Sequence, residues 1–170
     1  KLKENAYSLG LNLQAVMNAP NIILTGSLDG NVSAIKVSPH TTDSSTIFVG
    51  TEAGSVFKVT NADTADANEN STANWSNITG GQFLGSVSDI ELGKDENHIF
   101  VTFHNYGVEN VFYSEDGGQS WTEKEGNLPD IPVRCVLQNP LSENEVIIGT
   151  ELGVWYTKNF DSDSPDWSRA

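Results

Sequence analysis

The chain has 170 residues, of which 9 are Lys or Arg and 23 are Asp or Glu, so its formal net charge is −14 at pH 7. This negative field repels a nucleic-acid backbone and an anionic membrane surface, and we expect neither as a partner. No apolar run approaches the roughly 20 residues needed to span a bilayer, which argues against membrane insertion. The single cysteine, Cys135, excludes an internal disulfide and a cysteine-based metal cluster.

The first elements along the chain are two short apolar segments, residues 11–17 and 22–25, separated by a turn at 18–21. They predict the outer strands of one structural unit, which we place at residues 1–31. A regular pattern begins at Val32 with the alternating run VSAIKV, which is typical of a half-buried strand.

The remainder of the chain repeats with a fixed period. Trp75, Trp121 and Trp167 are spaced 46 residues apart, and so are Val87 and Val133. Val32 precedes Val87 by 55 residues, and the additional residues fall in the polar segment 61–74. The units are therefore predicted at residues 32–86, with an insertion at 61–74, at 87–132, and at 133–170, where the last strand is expected to be truncated.

Each unit contains four short segments of strand character, and no segment shows a sustained 3.6-residue apolar period. Four strands repeated every 40–50 residues are typical of a β-propeller blade. The sequence thus predicts an all-β, incomplete propeller of about three four-stranded antiparallel blades plus part of another. We expect the strands that begin near Val32, Val87 and Val133 to be innermost. Since propellers close with 4 to 8 blades, the remaining blades of a parent chain or a second copy are expected partners.

The stretch SEDGGQSW, residues 114–121, places Ser114, Asp116, Gly118, Ser120 and Trp121 in a defined order. It resembles the Asp-box of the BNR repeat propellers, which include bacterial sialidases, xyloglucanase-type glycoside hydrolases and sortilin-like receptors. The resemblance implies that these five residues form a structural hairpin between the third and fourth strands of a blade. It also implies an extracellular, cell-surface or periplasmic protein, and we expect a bacterial one.

Two glutamates are candidate catalytic residues. Glu52 and Glu151 each follow Gly-Thr in a Gly-Thr-Glu-x-Gly turn, where the resemblance to xyloglucanase-type enzymes would place a catalytic Asp. A non-catalytic hairpin turn explains the same pattern. A complete sialidase site is excluded from this chain, because the arginine triad that the resemblance implies cannot be built from Arg134 and Arg169 alone.

A ligand-binding surface is the other possibility. His104 occupies the turn position of Glu52 and Glu151 in its own unit, and with Tyr106 and Trp155 it could line a surface on which sugar rings stack. Asp161, Asp163 and Asp166 lie close together and could hold Ca²⁺. They lack the glycine and the bidentate glutamate of an EF-hand loop, so a solvated acidic loop is the simpler interpretation and no cofactor is expected.

Taken together, these patterns predict a non-catalytic binding or scaffold portion of a secreted or surface propeller. Its expected ligand is a carbohydrate or a protein surface. The alternative is part of a glycoside hydrolase in which Glu52 or Glu151 supplies an acidic catalytic group. An enzyme needs two carboxylates at a cleft, one with a raised pKa, whereas a binding protein needs only a complementary surface.

Overall fold

The computed structural model describes residues 28–64 and 73–170. The segments predicted at 11–17 and 22–25, and residues 65–72 of the insertion, lie outside the described residues. Within the described ranges the secondary structure is β-strand, apart from one short 3-10 helix at Ala62–Thr64, and there is no α-helix.

The strands form three four-stranded antiparallel sheets in chain order. The first blade contains β1 (Val32–Val37), β2 (Ile47–Thr51), β3 (Val56–Thr60) and β4 (Asn74–Asn77). The second blade contains β5 (Val87–Leu92), β6 (Ile99–Phe103), β7 (Val111–Ser114) and β8 (Thr122–Glu123). The third blade contains β9 (Val133–Asn139), β10 (Ser142–Thr150), β11 (Gly153–Thr157) and β12 (Ser168–Arg169). The predicted fold class, an incomplete propeller, is confirmed.

The first strand of each blade lies at one edge of its sheet and packs against the first strand of the next blade. β1 packs on β5, and β5 packs on β9. This is the arrangement of strands around a propeller axis. The pairing of each first strand with the second skips one residue at the same place: between Val32 and Ala34, between Val87 and Asp89, and opposite Gly149 and Thr150 in the third blade. Such a bulge bends a strand and increases its twist.

The second strands of the first two blades are buried along their whole length. Successive side chains of a strand point to opposite faces, and a neighbour covers each face. Phe48 packs in the apolar core between the first and second blades, whereas Val49 belongs to a cluster on the other face of the first blade. Phe100 likewise packs in the core between the second and third blades. Apolar residues therefore occupy consecutive positions, and strict alternation is lost.

The tryptophan of each unit takes an equivalent position next to the fourth strand. In two cases its indole N–H bonds to the preceding blade: Trp121 Nε1 donates to Ile78 O at 2.8 Å, and Trp167 Nε1 donates to Lys124 O at 3.0 Å. Trp75 pairs with Val59 in β4, but its buried Nε1 has no hydrogen-bond partner among the described residues. The repeat thus places one indole hydrogen bond at each of the two interfaces between blades.

Candidate functional site

The turns between second and third strands lie at one end of the blades, because neighbouring strands are antiparallel. The connections from a fourth strand to the next blade reach the same end. The hairpin of residues 114–121, which joins β7 to β8, lies at the opposite end. The two ends differ in how their polar side chains are used.

At the first end, three side chains from two blades converge on the carboxylate of Glu151. Arg134 Nη2 donates to Glu151 Oε1 at 2.6 Å, and His104 Nε2 lies 3.2 Å from the same oxygen. Tyr106 Oη donates to Glu151 Oε2 at 3.1 Å. We call this group, His104, Tyr106, Arg134 and Glu151, the Glu151 cluster.

Local backbone geometry positions the members of the Glu151 cluster. Glu151 lies in the tight turn between β10 and β11, which ends at Gly153 with a positive φ of 107°. Its N–H donates to Pro132 O at 3.3 Å. The His104 N–H donates to Ser86 O at 3.0 Å, which fixes the start of the turn that carries Tyr106. Arg134 lies at the bulge of β9, where the interrupted pairing lets its side chain reach the turn.

The electrostatics of the cluster keep Glu151 ionised. The hydrogen bond from Arg134 lowers the pKa of Glu151 below its usual value, and the bonds from Tyr106 and His104 act in the same direction. The bond to Glu151 raises the pKa of Tyr106, so its hydroxyl remains a donor. Tyr106 is 60% exposed. The arrangement therefore offers polar groups beside an accessible aromatic face, and Glu151 is unsuited to donate a proton.

The structure brings together three of the predicted site residues, namely His104, Tyr106 and Glu151. Trp155 lies elsewhere: it packs against the core between the second and third blades, with its buried Nε1 unpartnered within the described part of the chain. Glu52 is exposed in the first blade, where its Oε2 accepts a hydrogen bond from Asn31 Nδ2 at 2.9 Å.

Sequence reasoning missed two features of this end. Arg134 enters the sequence analysis only as part of a sialidase triad, although its place at the start of the first strand of a repeat unit is the signal that could have found it. Glu125 was not considered. Burial raises its pKa to about 7, with further increases from the nearby carboxylates of Glu109 and Glu123. Asn110 N–H donates to Glu125 Oε1, which places this carboxyl beside the start of β7.

The remaining acidic candidates are three aspartates in the turn between β11 and β12. In the part of the chain that the structure describes, no three His, Cys, Asp or Glu side chains are arranged to hold a metal ion, and this includes Asp161, Asp163 and Asp166. No helix in residues 28–64 and 73–170 is long and apolar enough to cross a membrane.

In the hairpin at the opposite end, the polar side chains form hydrogen bonds with one another and with the hairpin backbone. Asp116 accepts hydrogen bonds from Ser120 Oγ at 2.6 Å, Ser120 N at 2.9 Å and Ser114 Oγ at 2.8 Å. The bonds from Ser120 lower the pKa of Asp116 to about 2. Gly118 has φ 88°, and a Cβ there would lie 2.7 Å from Ile78 Cβ. The carboxylate of Asp116 thus holds a turn that packs against the preceding blade.

Comparison with known proteins shows a likeness in fold but none in sequence. No protein-family model matches the chain, and no curated protein matches it in sequence. In fold, the chain is similar to the crystal structure of the GH74 xyloglucanase from Xanthomonas campestris, with a TM-score of 0.50 and 12% sequence identity. The match covers 72% of this chain but 20% of the xyloglucanase chain. At this identity the likeness supports the propeller-type fold alone.

Proposed function

We propose that this chain is a non-catalytic carbohydrate-binding portion of a secreted or surface Asp-box propeller, and that the Glu151 cluster is its binding surface. The observation that carries the proposal is the convergence of two adjacent blades on Glu151 beside the exposed ring of Tyr106. The hairpin at residues 114–121 then has the structural role of an Asp-box, since its carboxylate is fully engaged within the turn.

The chemistry of the Glu151 cluster suits a neutral glycan. Sugar rings present C–H faces that pack on an aromatic ring, and hydroxyl groups that exchange hydrogen bonds with polar side chains. Arg134 is already paired with Glu151, and the chain has a net charge of −14, which disfavours an acidic sugar. A protein surface is the other expected partner, and an extracellular or periplasmic bacterial location fits either ligand.

Binding of neutral β-glucan oligosaccharides by isothermal titration calorimetry tests this proposal. We expect Tyr106→Ala to weaken binding at least tenfold because it removes the stacking ring, and Tyr106→Phe to weaken it only a few-fold. Leu141→Ala is the matched control, since Leu141 is 93% exposed in the turn between β9 and β10. Binding that is unchanged in Tyr106→Ala, or absent from the wild-type chain across neutral and acidic glycans, contradicts the proposal.

One observation favours a second candidate, a glycoside hydrolase. Glu125 lies at the same end as the ionised Glu151 and has a pKa of about 7, and a hydrolase needs one protonated and one ionised carboxyl group. Under this candidate Glu125 is the acid and Glu151 the base or nucleophile. Release of reducing sugar from a soluble β-glucan that disappears in both Glu125→Gln and Glu151→Gln would replace the binding proposal with the enzymatic one.

A further inference from the structure

One face of the third blade exposes apolar side chains, and two of them are buried at the equivalent positions of the other blades. We call Cys135, Leu137, Ile147, Gly149 and Val154 the open face. The pairings of second with third strands place Phe48, Phe100 and Ile147 at one equivalent position, and Val56, Val111 and Val154 at another. Phe48, Phe100, Val56 and Val111 are each 0% exposed, whereas Ile147 is 45% and Val154 is 48% exposed. The open face thus has the composition of an interface between blades without a cover.

A glycine on the open face repeats the fit of the first interface. Gly50 and Gly149 are equivalent in the pairing of second with third strands. A Cβ on Gly50 would lie 2.4 Å from Val87 Cγ1, so this glycine makes room for the first strand of the second blade. A Cβ on Gly149 would meet only Cys135 Sγ within 4 Å, at 2.7 Å, and no side chain of another blade. The space beside Gly149 is therefore shared with the thiol of Cys135 from the same blade, and no other blade occupies it.

Each blade also ends in a residue whose carbonyl group is placed to accept a hydrogen bond from the following blade. The residue at the end of each blade donates its N–H group to the carbonyl at the start of the third strand, in each case at 2.9 Å: Ile78 to Val56, Lys124 to Val111, and Ala170 to Val154. The carbonyls of Ile78 and Lys124 accept the indole bonds of Trp121 and Trp167 from the following blade. Ala170 is the third member of this series, and it lies beside the open face.

We propose that the open face is the docking surface for a further blade of the same repeat, placed after Ala170 as the third blade is placed after Lys124. The docked blade packs an apolar side chain of its first strand against Gly149 and Cys135. It covers Ile147 and Val154, and a tryptophan before its fourth strand donates its indole N–H to the carbonyl of Ala170.

The alternative occupant, a second copy of this chain, fits less well. A copy docked in the same manner would have to present the equivalent face of its first blade, which carries Ile47, Val49 and Val59. These side chains are 1%, 3% and 0% exposed in the chain itself, so that face is not free to cover another surface. A blade that follows Ala170 needs no such rearrangement.

A lengthened chain tests the proposal. Ile78 and Ala170 are equivalent, so a second copy of residues 79–124 appended after Ala170 supplies a blade in the correct register and adds no cysteine. Cys135 is exposed on the open face and is the natural probe. We expect its alkylation by iodoacetamide to be at least tenfold slower in the lengthened chain than in the 170-residue chain. Ile147→Glu should restore the rate, whereas Leu141→Glu, placed in the turn and off the open face, should not.

A second lengthened chain guards against failure of the appended blade to fold. It carries a copy of residues 125–170 in which the cysteine is replaced by alanine, and it should protect Cys135 to the same extent. Equal reactivity of Cys135 in both lengthened chains and in the 170-residue chain overturns the proposal. So does a discrete dimer of the 170-residue chain in sedimentation experiments with Cys135 protected, because a second copy is then the occupant.

Discussion

The two interfaces between blades share a backbone plan but differ in side-chain chemistry. At the first, Lys36 pairs with Glu91 at 2.7 Å and Lys58 with Glu96 at 2.9 Å, both partly buried. At the second, the cross-blade pair of Lys94 with Glu143 is exposed. Leu137, the inner-strand residue equivalent to Lys36 and Glu91, lies on the open face and takes no part in this interface, which is held mainly by the apolar cluster around Phe100 and Phe160. The repeat therefore specifies where two blades meet. The individual residues at each interface decide whether ion pairs or apolar packing stabilise it.

The largest expected effect comes from the aromatic centre of each interface. Phe83 contacts Phe103, Phe112 and Trp121, and Phe160 contacts Phe100, Tyr113 and Trp167. Phe83→Ala and Phe160→Ala should each lower the free energy of unfolding by about 3 kcal/mol, because each leaves a cavity among buried rings. Urea denaturation measures both. A cost below about 1 kcal/mol at one site would mean that its interface is not stabilised mainly by packing.

A smaller effect separates tryptophans that are paired from those that are not. Trp121 and Trp167 donate hydrogen bonds across the interfaces, whereas the buried Nε1 atoms of Trp75 and Trp155 have no partner within residues 28–64 and 73–170. Substitution by Phe removes a similar apolar volume at all four sites. We expect Trp121→Phe and Trp167→Phe to cost about 1 kcal/mol more than Trp75→Phe and Trp155→Phe, because only the former leave a carbonyl unpaired. Equal costs in thermal unfolding would remove these bonds from the explanation.

The smallest effect is the acid response of the first interface. Burial raises the pKa of Glu96, but hydrogen bonds from Thr41 and Ser38 and the ammonium of Lys58 outweigh it and hold the pKa at about 2. A depressed folded-state pKa gives stability that is present above the unfolded value of about 4.3 and is lost as the pH falls through about 2. Glu96→Gln should therefore cost about 1 kcal/mol at neutral pH and progressively less as the pH falls from about 4 towards 2.

The second interface supplies the control for this titration. Glu143 belongs to the exposed pair with Lys94, so Glu143→Gln should change stability by only a few tenths of a kcal/mol at any pH. Urea denaturation of the two variants between pH 2 and pH 7 gives the comparison directly. A pH-dependent cost in Glu143→Gln as large as that in Glu96→Gln would show that the acid response is not specific to the first interface.

Much of the fold was predictable because each repeat unit carries its own strand and turn patterns in the local sequence. The equal spacing of the tryptophans and of Val87 and Val133 located the blades without any knowledge of which strands pair. The site was predictable only in part. His104 and Glu151 occupy equivalent turns of adjacent units, so their proximity follows from the repeat. Arg134 was missed because its reach depends on a bulge, and Trp155 was misplaced because its face of β11 is turned towards the second blade.

The sequence alone determined the strand order, the hairpin at residues 114–121 and the positions of the tryptophans, since these depend on periodicity, turn residues and local hydrogen bonds. Only the tertiary structure decided which face of each strand meets a neighbour, and hence that Glu151 gathers three side chains and that Ile147 and Val154 are exposed. The physical reason is that burial and side-chain pairing between blades depend on residues about 46 positions apart. The packing of one sheet on the next brings those residues together. The sequence within a single strand or turn does not predict which side chains will then be in contact.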